Sequence, residues 1–176
     1  MRLLALDLAT ATGWGFYRPG LDAPLSGVWN LSGKNGQRFA QLRDRVGERI
    51  EMGVDRIVCE APFIQKGHEN ILELLYGLRA QVVELAYRKR VDFVSVPPMQ
   101  WRPSFIGCTQ APKYVPKPQK RAWLKNRAIE ECEKRGWPVR DDNAAEALGI
   151  LDYERCRIFP DYAALSSPLF SIEAAL

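Results

Sequence analysis

Residues 2–17 read RLLALDLATATGWGFY, in which a continuous apolar run ends at Asp7 and a short turn leads into a second, aromatic-rich run. Continuous apolar character in the residues before Asp7 is typical of a strand that is covered on both faces of its sheet. We therefore predict a central strand over residues 2–7 and a second strand over residues 12–17. A carboxylate at the end of such a strand is costly to bury unless a partner group or a metal ion compensates its charge.

The rest of the chain alternates between strand-like and helix-like patterns. Short apolar runs bounded by turn residues or proline predict strands at residues 26–31, 56–60 and 91–96. Apolar residues at helical spacing predict helices at residues 37–52, 70–89, 119–135 and 142–156. Four prolines between residues 99 and 118 predict a loop with at most one helical turn. This order predicts an α/β fold, a mixed five-stranded sheet flanked by helices, in one domain spanning residues 1–176.

The composition is that of a globular protein, with 47% hydrophobic and 26% charged residues. No apolar run approaches the roughly 20 residues of a membrane helix, and the N-terminus lacks a signal-peptide pattern. We therefore expect a cytoplasmic protein without membrane association. The four cysteines lie far apart and the only histidine is His68, which argues against a zinc site and against a disulfide framework. We expect the five tryptophans to serve packing rather than function.

A basic segment lies between residues 113 and 140, where nine Lys and Arg residues accompany three acids. Such an excess suits a polyanionic partner, because cations that neutralise phosphates release counterions. A solvated helix face is the alternative explanation. The aromatics Tyr114 and Trp123 within the segment also fit a nucleic-acid surface, with a core position as the alternative for both and the expected one for Trp123. The cations that we expect to contact phosphates are Lys117, Lys120, Arg121 and Lys125.

Acids in three separate segments occupy related positions. Glu60 ends an apolar strand as Asp7 does, and on neighbouring strands the two carboxylates would repel unless a divalent cation lay between them. Residues 141–148, DDNAAEAL, begin the last predicted helix and place Asp142 and Glu146 on one face. Oxygen ligands without Cys or His favour Mg²⁺ or Mn²⁺, and two such ions about 3.5–4 Å apart can hydrolyse a phosphodiester.

Each acid also has an ordinary structural explanation. Asp7 is suited to cap a turn, and Glu60 to form only a salt bridge. Asp141 and Asp142 stand at a helix start, where acids are favoured as caps and by the helix dipole. Asn143, three residues before Glu146, lies on the same helix face. It is the combination of all three segments that predicts a metal site.

Three motifs resemble the RuvC group of Holliday-junction resolvases, and more closely its phage-type relatives, within the RNase H-like nuclease superfamily. The motifs are LALDLATATGWGF, VCEAPFIQK and DDNAAEAL, in this order, and the resemblance covers residues 2–154. It implies an RNase H-like fold and a metal-dependent endonuclease that resolves Holliday junctions or other branched DNA by paired nicks, with two Mg²⁺ or Mn²⁺ ions per site. The catalytic acids of the family fall on Asp7, Glu60, Asp142 and Glu146. The sequence departs from the family pattern at Glu146, because the final acid is usually Asp. If the pair is instead spaced by three residues, Asn143 stands where other members have an Asp or His, and Asp141 is a reserve candidate.

The same resemblance implies contacts with DNA and a dimer. The aromatic that wedges into an open junction falls on Phe63, a phosphate contact on Lys66, and a helix lysine near the scissile phosphate on Lys125. A core aromatic and a plain surface charge are the alternatives for Phe63 and Lys66. Two symmetric nicks require two active sites, so a homodimer is implied, with helix 70–89 as its contact. Two other functions stay open: an RNase H-like nuclease acting on RNA, and a non-catalytic nucleic-acid-binding module of this fold.

Overall fold

The computed structural model describes residues 1–62 and 69–166. Its five strands are β1 (Leu3–Asp7), β2 (Ala11–Tyr17), β3 (Leu25–Asn30), β4 (Arg56–Glu60) and β5 (Asp92–Val96). Its helices are α1 (Asn35–Glu51), α2 (Glu69–Lys89), α3 (Pro98–Ile106), α4 (Lys120–Lys134), α5 (Asp142–Ile158) and α6 (Pro160–Ser166), with a 3₁₀ turn at Lys117–Gln119. The elements that the sequence predicted are found with ends displaced by no more than two residues.

The five strands form one mixed sheet in the order β3-β2-β1-β4-β5, which confirms the predicted fold class. Strand β1 is central, antiparallel to β2 and parallel to β4. Leu6 of β1 pairs with Cys59 of β4, so that the next residues, Asp7 and Glu60, lie at the same end of the sheet. The carboxyl ends of two parallel strands therefore bring the first two acids together.

Both faces of the sheet are covered, as the continuous apolar run of β1 predicts. Leu3 and Ala5 belong to the core under α3, α4 and α5, whereas Leu4 and Leu6 belong to the core under α1 and α2. Successive side chains of a strand point to opposite faces. Asp7 therefore shares the face of Leu3 and Ala5, and it points toward the layer that contains α5.

Helix α5 approaches the sheet closely because the facing residues are small. Gly13 of β2 pairs with Asp7, and a Cβ atom at Gly13 would lie 1.9 Å from the backbone oxygen of Asn143. On the helix side, Ala144 and Ala147 are buried against the sheet. The first turn of α5 therefore lies directly over the strand pair that carries Asp7.

Gly13→Ala should lower the free energy of unfolding by about 1–3 kcal/mol or more. The added methyl would clash with backbone atoms of α5, which cannot move aside as a side chain can by changing its rotamer. Chemical denaturation would measure this. Gly47→Ala is the matched control, because nothing lies within 4 Å of the added Cβ in the middle of α1. A helical glycine replaced by alanine is expected to gain about 0.5–1 kcal/mol. Equal denaturation midpoints for Gly13→Ala and the wild type would contradict the close approach of α5.

The prediction of a loop over residues 99–118 is wrong for its first part, which forms α3. Pro98 stands in the first turn of that helix, where a missing N–H breaks no helical hydrogen bond. Pro103 lies inside the helix, and Gly107 ends it in a left-handed conformation with a φ of 77°. Trp101 and Phe105 of this helix are buried in the core, so tertiary packing outweighs the low helix propensity of proline. Helix α6 was not predicted either.

The protein has no described helix that could serve as a membrane span. Within residues 1–62 and 69–166, no helix combines the length and the apolar character that a crossing requires.

Candidate active site

Three acids from distant parts of the chain meet at the carboxyl ends of β1 and β4. Although part of its surface meets solvent, burial raises the pKa of Asp7 well above its usual range. The negative charges of Glu146 and Glu60 raise that pKa further, whereas Lys125 and Arg102 lower it. Each of these groups therefore lies within electrostatic range of Asp7. This is the meeting of acids that the sequence motifs predicted.

Glu60 is held by two neighbouring residues of α3. The indole Nε1 of Trp101 donates a hydrogen bond of 2.8 Å to its Oε2. Arg102 Nη2 lies 3.9 Å from the same oxygen and 3.3 Å from Glu146 Oε1, so that it bridges the two acids. Burial raises the pKa of Glu60 in spite of the opposing effects of Arg102 and Trp101.

Glu146 and Asp142 project from one face of α5. Glu146 is 8% exposed, and burial raises its pKa against the opposing charges of Arg102 and Lys125. Lys125 Nζ, from α4, lies 2.8 Å from Asp142 Oδ2 and 3.8 Å from Glu146 Oε2. The same ammonium group donates a hydrogen bond of 3.1 Å to Asn143 Oδ1. Lys125 is thus surrounded by the oxygens of the last motif.

Asp141, the reserve candidate, is the N-cap of α5. Its Oδ1 accepts hydrogen bonds from the backbone N–H groups of Asn143 at 2.8 Å and Ala144 at 3.4 Å. This cap satisfies two of the N–H groups that a helix start leaves without a partner. The capping explanation that the sequence offered therefore applies to Asp141. Asp142 lies in the first turn of α5, where the helix dipole also favours an acid, and it pairs with Lys125.

The donor set of this site fits a hard divalent cation. Asp7, Glu60, Asp142 and Glu146 supply only oxygens, and burial, with a smaller contribution from the neighbouring acids, raises the pKa values of Asp7, Glu60 and Glu146 in spite of the opposing charge of Arg102. Among the residues that the structure describes, no three acidic, His or Cys side chains already form a coordination group. Arg102 and Lys125 contact oxygens of the same carboxylates that a bound cation would use.

The cations predicted to contact phosphates occupy the start of α4 and the turn before it. Lys117 and Arg121 are exposed, Lys120 is half-buried, and Lys125 lies one to two turns further on within the site. The charge of Arg121 lowers the pKa of Glu146, so that Arg121 lies near the acids as well. We refer to Lys117, Lys120, Arg121 and Lys125 together as the basic rim, of which Arg121 and Lys125 lie near the carboxylates. Tyr114, before this rim, is 81% exposed.

Two of the predicted DNA contacts, Phe63 and Lys66, lie outside the described residues. Their roles stay predictions.

Sequence reasoning missed Trp101 and Arg102 as residues of the site. The tryptophans were expected to serve packing, and Trp101 does pack, but its indole N–H also reaches Glu60. The available signal was the spacing of Trp101, Phe105 and Ile106 after Pro98. This is the spacing of one buried helix face that begins at a helix-starting proline.

The topology and the layers define the class: this is the RNase H-like α/β fold in the form found in RuvC-type Holliday junction resolvases. The chain is similar to the RuvC of Thermus thermophilus solved in complex with a Holliday junction substrate, with a TM-score of 0.66 and 17% identity over 85% of this chain and 90% of that one. A second structure of Thermus thermophilus RuvC gives a TM-score of 0.65 and 18% identity over 90% of this chain and 96% of that one. No protein-family model and no curated protein matches the sequence.

Proposed function

We propose that this chain is a divalent-cation-dependent endonuclease that resolves Holliday junctions or other branched DNA by paired nicks. The observation that carries the proposal is the meeting of Asp7, Glu60 and Glu146 at one end of the sheet, with all three pKa values raised by burial. Perturbed acids that converge from distant segments are typical of functional sites. A RuvC of the same fold has been solved on a Holliday junction substrate, which supports branched DNA as the substrate class.

The acids and cations of the site have complementary tasks in this proposal. Asp7, Glu60, Asp142 and Glu146 would hold Mg²⁺ or Mn²⁺, two ions per site as the resemblance implies, which when bound supply an activated water and neutralise charge on the phosphate. Lys125 and Arg102 leave carboxylate oxygens when the acids take up cations. Both side chains are then free to donate to phosphate oxygens, where positive charge offsets the negative charge that develops during hydrolysis.

The rim at the start of α4 would position the DNA backbone. Lys117, Lys120 and Arg121 lie along the chain segment that ends at Lys125 in the site. Phosphates that flank the cut can be neutralised by these side chains, which fixes the register of the strand without reading its sequence.

We also propose that two copies pair through α2. The inner face of this helix is buried against the core at Leu78 and Val82, whereas Ile71, Tyr76 and Tyr87 are 54%, 43% and 84% exposed. Ile71 is thus an apolar residue of α2 that the structure leaves open to solvent. Apolar groups on an outer helix face favour a protein contact, and a homodimer would provide the two sites that paired nicks need.

A comparison of substrates would test the proposal. The protein should nick a synthetic four-way DNA junction in two opposite strands in Mg²⁺ or Mn²⁺, and should leave a linear duplex of the same sequence intact. Preferred cleavage of RNA or of an RNA–DNA hybrid would instead indicate an RNA-processing nuclease. Tight junction binding without any nicking in either cation would indicate a non-catalytic binding module.

A further inference from the structure

Trp101 places a polar group in the interior of the protein. Its side chain is fully buried, the largest of those that are, and its N–H would be costly to bury without an acceptor. The acceptor is Glu60 Oε2 at 2.8 Å. A hydrogen bond to a carboxylate is among the stronger ones in proteins, so this contact orders the acid as well as the indole.

The orientation of the indole is fixed by close packing against α5. A Cβ atom at Gly149 would lie 2.7 Å from Trp101 Cζ3, so the ring rests on bare helix backbone. Gly149 lies about one turn beyond Glu146. Helix α5 therefore supplies two acids of the site, Asp142 and Glu146, and also the surface that holds Trp101, the partner of Glu60. The position of the Trp101 N–H cannot change without movement of α3 or α5.

The contacts of Glu60 are uneven between its two oxygens. The hydrogen bond from Trp101 and the approach of Arg102 at 3.9 Å both involve Oε2. Trp101 donates its hydrogen bond from a buried position in the core, and this bond does not depend on a charged side chain. These contacts fix the orientation of the Glu60 carboxylate, and neither of them involves Oε1.

We propose that Trp101 is a positioning residue, whose indole N–H holds Glu60 Oε2 so that Oε1 is presented to the divalent cation. This rests on the proposed function as far as the cation is concerned, and it is independent of which nucleic acid is cut. Partners that orient a metal ligand typically contribute about 10–100-fold to metal affinity. The effect of Trp101 on the cation passes entirely through Glu60.

The test compares Trp101→Phe with Trp137→Phe in the full chain without DNA. Trp137 belongs to the same core cluster, is 7% exposed and stacks on Phe105, so its replacement removes a similar ring from the same packing. Isothermal titration with Mn²⁺ should show about 10–100-fold weaker binding for Trp101→Phe and unchanged binding for Trp137→Phe. Equal Mn²⁺ affinity in Trp101→Phe and the wild type would show that Trp101 has only a packing role.

A spectroscopic measurement on the wild type keeps the test independent of the stability of the variants. The indole ¹H–¹⁵N signal of Trp101 should shift when Mg²⁺ is added, because the acceptor of that N–H becomes a cation ligand. The signal of Trp137 should stay in place. A Trp101 signal that does not move at Mg²⁺ saturation would overturn the proposal, even if Trp101→Phe fails to fold.

The two proposals can fail separately. A wild type that binds Mn²⁺ and loses affinity in Trp101→Phe, yet never nicks a junction, would refute the nuclease function and retain the role of Trp101. If the wild type nicks a junction and Trp101→Phe binds Mn²⁺ with unchanged affinity, the nuclease function is retained and the positioning role of Trp101 is refuted.

Discussion

Asp7→Asn is expected to slow the nicking of a four-way junction by about 10³-fold or more. The substitution keeps the shape of the side chain and removes the negative charge that would help to hold the cation. Metal-ion catalysis is worth several kcal/mol, and each ~1.4 kcal/mol corresponds to a factor of ten in rate. Single-turnover cleavage of end-labelled junctions at saturating Mg²⁺ would measure the loss.

The same substitution should stabilise the protein when no divalent cation is present. Burial and the charges of Glu146 and Glu60 raise the pKa of Asp7 in the folded state. An acid whose pKa is raised by folding stabilises the folded state at low pH. This stabilisation is lost as the pH rises from the pKa of the acid in the unfolded chain, about 3.9, through its higher pKa in the folded protein. Asn has no such cost, so the melting temperature of Asp7→Asn should exceed that of the wild type at neutral pH. The difference should disappear near pH ~3.

Asp55→Asn is the matched control at the opposite end of β4. Asp55 accepts a hydrogen bond from the Arg2 backbone and pairs with the Arg2 guanidinium at 3.1 Å, which lowers the pKa of Asp55. An acid whose pKa is lowered by folding stabilises the folded state at every pH above its pKa in the unfolded chain. Asp55→Asn should therefore lower the melting temperature at neutral pH, and it should leave the nicking rate unchanged. Full nicking activity in Asp7→Asn would refute the active site proposed here.

The central part of the fold could be predicted because its signals are local. The run Leu3 to Leu6 is apolar at every position, as expected of a strand covered on both faces, and both faces are covered. The proximity of Asp7 and Glu60 was also accessible, because each acid ends a strand and the two strands are parallel neighbours. The local pattern thus identifies each strand and the acid at its end, and the order of the strands brings the two acids together.

The missed part of the site depends on contacts between distant residues. Proline content argued against a helix after residue 98, but α3 forms because Trp101 fits against Gly149, 48 positions further along the chain. The hydrogen bond from Trp101 to Glu60 likewise spans 41 positions. No local pattern contains such pairings, so Trp101 and Arg102 became visible as residues of the site only in the folded chain.

The place of Lys125 shows a second limit of the sequence. Its resemblance to a helix lysine near the scissile phosphate predicted a contact with DNA, whereas in the DNA-free chain its ammonium group contacts Asp142 and Asn143. The two arrangements are compatible if Lys125 exchanges carboxylate oxygens for phosphate oxygens when cation and DNA bind. The sequence predicted only the contact of Lys125 with phosphate, and not its contacts with Asp142 and Asn143 in the absence of DNA.

Lys125→Met should therefore slow junction nicking by about 10²–10³-fold, because a cation aimed at the developing charge is lost. Junction binding should change little, since the other proposed phosphate contacts, Lys117, Lys120 and Arg121, are retained. The affinity for Mn²⁺ without DNA should increase, because the ammonium group no longer competes for the oxygens of Asp142 and Glu146. Single-turnover cleavage and Mn²⁺ titration on the same preparation would measure the two opposite effects.

Lys134→Met provides the matched control at the other end of α4, where the ammonium group pairs with Glu131 at 2.6 Å and is well exposed. Nicking rate and Mn²⁺ affinity should both equal those of the wild type. If Lys125→Met instead weakened Mn²⁺ binding, Lys125 would be ordering the acids for the cation and not competing with it. Competition predicts that Lys125→Met binds Mn²⁺ more tightly than the wild type, whereas ordering predicts that it binds Mn²⁺ more weakly. One Mn²⁺ titration therefore decides whether Lys125 competes with the cation for the acids or orders the acids for it.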